Sequence, residues 1–379
     1  MAELTLCRAN LYVCNITPKT RWIFISLETA DGITGYGEAT LTGQEKDVSV
    51  LFAHYAENYL CRNGASPRSF FPHINNLPLA ALASGFDQAL WDIKSKAAGK
   101  PLASLLCAQP EREISVYANI NRKTTTRTSE EFAENALRAM DDGHIAFKLA
   151  PFDEVNCHTT GQIPFSEAVK PGLERIARVR AAVGDQARLM VDCHWRMDAG
   201  SARELINLTE QYRLYWLECP VPETEGDISV IRSLKKYANS NGMLLAGFEE
   251  YIRLEAFLPF ISQKSCDVYM PDAKYAGGIK EMLQIAVAIR GSGAVFSPHN
   301  PSGPVCDAVS AQLCAASPGA GMLEMQYDES PLFYELTGGT PRIIKDGRFT
   351  LADVPGHGVN LCAKQLRKCV VHSVHQKRR

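Results

Sequence analysis

Three carboxylates are placed where chemistry could be done. Asp192, Glu218 and Glu249 each close a short apolar run, in Val191-Asp192-Cys193-His194, Trp216-Leu217-Glu218-Cys219-Pro220 and Ala246-Gly247-Phe248-Glu249-Glu250. No arginine adjoins any of them in sequence. Carboxylates gathered in a partly buried site repel one another, and a hard divalent cation resolves that repulsion. Mg2+ takes oxygen ligands in an octahedron and keeps positions open for water or substrate. Any one of these carboxylates taken alone reads more readily as a cap for the helix after its strand; three in register on successive strands favour a metal. Other runs end in Lys148, in Met270-Pro271-Asp272, in Ser297-Pro298-His299-Asn300 and in Leu323-Glu324. An aspartate beside a histidine fixes its tautomer and supports its charged form, which suits a general acid or base. Lys148, facing a cation, would be either a neutral basic amine or the partner of a metal ligand or substrate carboxylate. His194 stands two residues after Asp192 and points the same way along the strand, as a catalytic, metal-supporting or substrate-binding group.

Such groups need a scaffold that brings strand ends together. From about Ile114 the chain alternates short β-branched or apolar runs with amphipathic helical patterns. The runs are Ile114–Asn119, Ile145–Leu149, Arg188–Asp192, Leu214–Glu218, Leu244–Glu249, Val268–Asp272, Val295–His299 and Met322–Glu324. Helical patterns between them include Leu173–Val183, Ala202–Tyr212, Ile228–Asn239 and Lys280–Arg290. Eight strand–helix alternations over ~210 residues predict an α/β fold, a (β/α)8 TIM-like barrel over residues 114–325. The C-terminal strand ends of such a barrel form its active-site face. Residues 1–113 predict an α+β capping domain. Trp22–Thr29 and Ile33–Glu38 read as strands around an Asp31-Gly32 turn, and Gly85–Lys96 reads as a helix stopped at Gly99-Lys100-Pro101. After Glu324 no further strand–helix unit is legible. Pro341–Thr350 reads as a strand pair, and residues 326–379 are expected to return to the capping domain.

Composition narrows the class. A chain of 379 residues exceeds what one core supports, which predicts two domains. Hydrophobic residues are 46% and charged residues 22%, ordinary for a globular protein. The net charge of −2 suggests no nucleic-acid partner, and the basic tail Gln376-Lys377-Arg378-Arg379 reads as a solvated terminus. Twelve cysteines without a CxxC pair read as reduced, mostly buried small hydrophobes, with no disulfides. Met1-Ala2-Glu3-Leu4 opens no secretory signal, and no apolar stretch approaches the length of a membrane span. A cytoplasmic location is expected.

With these residues in view, the chain resembles the enolase superfamily, and within it the mandelate racemase subgroup, over essentially its whole length. Phe86-Asp87-Gln88-Ala89-Leu90-Trp91-Asp92-Ile93-Lys94 resembles the family's D-x-A-L-W-D-x-x-G-K helix, and Trp216-Leu217-Glu218 and Met270-Pro271-Asp272 with Gly277-Gly278-Ile279 are close matches. The resemblance implies Mg2+ held by Asp192, Glu218 and Glu249, an Asp272–His299 catalytic dyad, and Glu324 as an acid hydrogen-bonding an enolate oxygen. Phe147-Lys148-Leu149, Asp192-x-His194 and Pro298-His299-Asn300-Pro301 with Gly303-Pro304 resemble sugar-acid dehydratases of the galactonate dehydratase type. That implies a small-molecule carboxylate substrate, His299 taking the C2 proton and His194 expelling the 3-hydroxyl. It also implies a homo-oligomer, and capping-domain loops near Thr40–Glu45 and Phe71–His73 that select the substrate. The sequence departs from the family in three places. Ala146 stands where a second lysine is common, which disfavours a two-lysine epimerase. Cys219 replaces a glutamate, and Leu105-Leu106-Cys107-Ala108 replaces a Leu-Leu-Gly-Gly. Two alternatives stay open: a racemase or epimerase using Lys148 and His299 as paired bases, and a non-catalytic binding barrel.

Overall fold

The computed structural model describes residues 5–62, 66–155, 163–339 and 341–375. The first four residues and the basic tail 376–379 lie outside them. Among the described residues no helix is long and apolar enough to cross a membrane.

The first layer is an antiparallel sheet of β1 (Leu6–Asn15), β2 (Arg21–Thr29) and β3 (Thr34–Glu38), covered by the helices Glu45–Cys61 and Leu77–Ala97. β3 reads Thr-Gly-Tyr-Gly-Glu for a packing reason. The second helix crosses it so closely that a Cβ on Gly35 would lie 2.1 Å from the Ala89 carbonyl oxygen, and one on Gly37 1.9 Å from that of Gly85. The helix begins at Asn76, whose side chain accepts the Leu79 N–H at 3.0 Å.

The second layer is the barrel. Its strands are β4 (Glu113–Asn119), β5 (Ala146–Leu149), β6 (Arg188–Asp192), β7 (Trp216–Glu218), β8 (Leu244–Gly247), β9 (Val268–Tyr269), β10 (Val295–Phe296) and β11 (Leu323–Gln326). They pair in parallel in the order β10-β9-β8-β7-β6-β5-β4-β11. The curl closes through single bonds rather than a ladder: the Gly321 N–H donates to the Phe296 carbonyl at 2.7 Å. Tyr117, Ala146, Met190, Trp216, Ala246, Val268, Met270 and Met322 form one buried layer inside it. Side chains alternate along a strand, so the residues two further on face the same interior one rung nearer the C-terminal ends. Those residues are Asn119, Lys148, Asp192, Glu218, Asp272 and Glu324.

The chain's last part corrects two expectations. Arg348–Thr350 (β12) does not reach the first sheet. It pairs antiparallel with Glu113–Ser115 of β4, where Phe349 fills a cluster with Ile114, Val116, Ala311 and Leu323. Val370–His375 (β13) is the strand that joins β1. Beside it, Cys14 and Cys369 form a disulfide, with Cα atoms 4.5 Å apart. The partners lie 355 residues apart, a separation at which spacing carries no signal. The other described cysteines are free.

Buried acidic side chains dock the two layers. Glu38, wholly buried at the end of β3, accepts the Gly303 N–H at 2.7 Å and the Cys306 N–H at 2.9 Å, capping the barrel helix Pro304–Ala315. Asp87 accepts the Ile279 N–H at 2.7 Å and so caps the helix Ile279–Gly291. Gln88 bridges both sides, accepting from Glu38 N and donating to the Ala273 carbonyl. Much of the Phe86–Lys94 motif thus serves docking.

His144, just before β5, is buried with an unpartnered Nδ1 and meets the Tyr327 ring edge-on. Burial lowers its pKa to about 4 against the slight opposite pull of Asp142. The unfolded chain therefore binds the extra proton first, and this contribution to stability is complete above the free value of 6.5 and lost as pH falls toward 4. Urea unfolding at about pH 7 and about pH 4.5 should show wild type losing roughly 2–3 kcal/mol more than a His144→Phe variant. Equal losses would show that the ring is not held neutral.

Candidate active site

The C-terminal rim of the barrel gathers the ionisable groups. Asp192 and Glu218 are the last residues of β6 and β7, paired in register. Glu249 follows β8 by two residues. One oxygen of each of these buried carboxylates lies within 4.8 Å of the others. Lys148 is almost wholly buried beside them, its Nζ 2.6 Å from Glu218 Oε1 and 2.8 Å from Glu324 Oε1. Of the two readings open for Lys148, the geometry is that of the ion pair. Burial works against its charge, yet Glu218 and Glu324 outweigh it and raise its pKa well above the ordinary lysine value.

Glu324 carries three donors. Its Oε1 accepts from Asn119 Nδ2 at 2.6 Å as well as from Lys148, and its Oε2 accepts the Asn300 N–H at 2.8 Å. Despite burial, Lys148 and then His299, with the Asn300 N–H, keep it below the usual carboxylate range. Both oxygens of the acid that the resemblance implied are thus engaged by donors.

Across the rim His299 sets its Nδ1 2.8 Å from Asp272 Oδ2, leaving Nε2 toward the triad, 3.4 Å from Glu249 Oε2. Asp272 has a second partner that sequence reasoning missed. Lys274 lies 2.7 Å from the same Oδ2 and also donates to Ser302 Oγ. Burial opposes its ionisation, but Lys274 and then His299 keep Asp272 below its ordinary range. His194 leaves the strand in a left-handed conformation (φ 48°) and folds back, its Nε2 3.0 Å from Asp192 Oδ2. Asp192 raises the pKa of the ring, though water screens part of that attraction because 46% of the side chain is exposed.

The donor set fits a hard divalent cation. All three groups offer oxygen, and with Glu324 they oppose one buried ammonium, Lys148. The excess negative charge costs free energy without a cation. Burial, with Asp192 adding to it against the pull of Lys148, pushes Glu218 up to about 8. Burial and then the Asp192 and Glu218 charges push Glu249 well above its range. Asp192 alone is held low despite burial, by His194 and Lys148. This triad could hold a metal.

The capping-domain segments lie over the same rim. The Thr40 carbonyl faces Tyr275 Oη at 3.4 Å, close to Lys274, and the carbonyls of Phe71 and Pro72 accept from Arg253. Of the groups missed, Asn119 ends a strand and Asn300 and Lys274 neighbour the dyad, so position could have found them. Glu223, on the loop after β7, had no such signal.

Residues 13–107 match the mandelate racemase/muconate lactonizing enzyme N-terminal domain, and residues 131–365 match the enolase C-terminal domain-like model. The chain is 29% identical over 360 residues to a D-gluconate dehydratase of Thermoproteus tenax, covering 92% of this chain and 70% of that one. It is 28% identical over 357 residues to a D-galactonate dehydratase of Pectobacterium atrosepticum, covering 90% and 89%. In structure it resembles an enolase from the Sargasso Sea environmental genome sequencing (TM-score 0.86, 21% identity, 100% of both chains). It also resembles an enolase-superfamily member from Salmonella Typhimurium (TM-score 0.83, 22% identity, 98% of this chain and 100% of that one). A two-layer chain whose capping domain and barrel each match the corresponding family domain, with an acidic triad on three consecutive strand ends, belongs to the mandelate racemase subgroup of the enolase superfamily.

Proposed function

We propose that the chain is a Mg2+-dependent hydro-lyase that dehydrates a sugar acid, or a related hydroxy acid, to a 2-keto-3-deoxy acid. The observation that carries this reading is the pair of histidines flanking the triad, His299 backed by Asp272 and His194 against Asp192. The dehydratase names of the relatives support it. Mg2+ held by Asp192, Glu218 and Glu249 would supply the positive charge that makes the carbon next to a carboxylate acidic. His299 Nε2 takes the C2 proton, while Asp272 holds Nδ1 and with it the tautomer. Lys148, fixed by Glu218 and Glu324, keeps a permanent positive charge beside the substrate carboxylate. His194, at the open mouth, gives a proton to the 3-hydroxyl as the C3–O bond breaks and water leaves. The resulting enol tautomerises to the ketone. A racemase would not need His194 as a leaving-group acid.

The test is a screen of the purified protein with Mg2+ against five- and six-carbon aldonic and aldaric acids, scoring 2-keto-3-deoxy product. Product that requires both the metal and His299 supports the dehydratase. Solvent deuterium entering C2 without dehydration would replace that reading with an epimerase. Neither reaction on any substrate would return the binding barrel to consideration.

A further inference from the structure

We propose that Glu223 is a positioning residue that holds the Glu249-bearing strand end in register with the other two; the inference rests on reading Asp192, Glu218 and Glu249 as metal ligands. Strand alternation accounts for two of them. Met190 and Trp216 lie in the barrel layer, and two residues further on Asp192 and Glu218 face the same interior. Glu249 breaks the pattern. Ala246 is in that layer, so alternation would turn residue 248 inward. Phe248 instead packs outward against Phe260 and Tyr269, and Glu249 enters the site. The parity slip is made at Phe248, which takes a left-handed conformation (φ 73°). The other two strand ends bend in the same way, at Cys219 (φ 43°) directly after Glu218, and at Trp195 (φ 56°) three residues after Asp192. Left-handed bulky residues persist only where their surroundings over-determine them.

One carboxylate holds the bend that turns Glu249 inward. The Phe248 N–H donates to both oxygens of Glu223, at 3.1 Å each. The Cys219 thiol hydrogen-bonds to Glu249 Oε2 instead, at 4.0 Å. The three ends are already linked in series, Trp195 N–H to the Cys219 carbonyl at 2.6 Å and Cys219 N–H to the Ala246 carbonyl at 3.0 Å. Glu223 adds a brace from outside the sheet. The space it occupies exists only because residue 247 is glycine, since a Cβ there would lie 1.9 Å from Glu223 Oε1. Its loop is pinned in turn, by the Met197 N–H on the Pro220 carbonyl at 3.1 Å and by Tyr251 Oη on the Glu223 carbonyl. Among the described residues Glu223 hydrogen-bonds to none of the three ligands, so it acts through the backbone that presents them.

The experiment titrates Mn2+, as a calorimetric and spectroscopic probe, into metal-free wild type, Glu223→Ala and Glu223→Gln, and records the thermal midpoint of each in EDTA. Glu223→Ala is expected to weaken Mn2+ binding by about 10–100-fold, the usual effect of losing a group that orients metal ligands. Its metal-free midpoint is expected to move by no more than a few degrees. Glu223→Gln keeps one acceptor for the Phe248 N–H, and a smaller loss is expected. If the alanine variant does not fold, the glutamine variant carries the same readout. Affinities within about twofold of wild type, with or without a lower midpoint, would make Glu223 merely structural and overturn the inference. Wild type that binds no Mn2+ would overturn the metal reading along with it; wild type and variants that bind equally would overturn this inference alone.

Discussion

Replacing His299 by asparagine is expected to lower kcat by roughly 10²–10⁴-fold, the ordinary worth of a general acid or base. The geometry leaves no substitute. The ring's Nδ1 is spent on Asp272 at 2.8 Å, so Nε2 is the atom turned toward the triad. Lys148 is held between Glu218 and Glu324, and His194 lies against Asp192. An asparagine can keep a hydrogen bond to Asp272 but cannot take a proton. Solvent deuterium exchange at C2 should therefore fall along with product formation, while Mn2+ binding stays within a few-fold of wild type. Exchange that survives in the variant would assign the base to another group. Loss of both exchange and metal binding would mean that the substitution had damaged the triad instead.

Glu249→Gln should move stability and activity in opposite directions. In the metal-free protein the Glu249 carboxylate is buried and faces the charges of Asp192 and Glu218, which together raise its pKa far above the usual range. A neutral side chain of the same shape removes both penalties. The unfolding midpoint in EDTA should rise by a few degrees, since 1 kcal/mol shifts it by about 2–4 °C in a domain of this size. Mg2+ should reverse the ranking. Wild type gains stability by mass action, about 2.7 kcal/mol at 100 times Kd, and the variant gains little because one ligand is gone. Activity should vanish with that gain. Differential scanning in EDTA and in Mg2+ reads both signs in one experiment. A variant less stable than wild type in EDTA would show that the three carboxylates are not at odds in the folded chain. The opposed signs are those of a site kept strained for function.

The ring of ionisable groups was legible because the barrel interior is read by local alternation. Lys148, Asp192, Glu218, Asp272 and Glu324 each stand two residues beyond a buried apolar residue, and that period survives in any strand. The eight strand runs and the helices between them were legible for the same reason, since amphipathic periods belong to the chain locally. The Gly35 and Gly37 approach, the Asp87 and Glu38 helix caps and the Cys14–Cys369 bond were not, because each joins positions distant in the chain. Arg348–Thr350 had the composition of a strand, but which sheet it entered depended on the cluster waiting for Phe349.

Within the site the division is the same. Sequence alone determined which side chains face one end of the barrel, because the direction of a side chain follows from its place in a strand. Tertiary structure decided what each one does there. Lys148 is paired because β7 and β11 bring two carboxylates to it, Glu324 has both oxygens engaged because β4 and the Asn300 backbone supply donors, and Asp272 is shared because Lys274 folds back on it. Glu249 faces inward only through a left-handed turn at Phe248, braced by Glu223 from another loop. Charge, protonation and strain depend on neighbours, and the neighbours are chosen when the sheet closes.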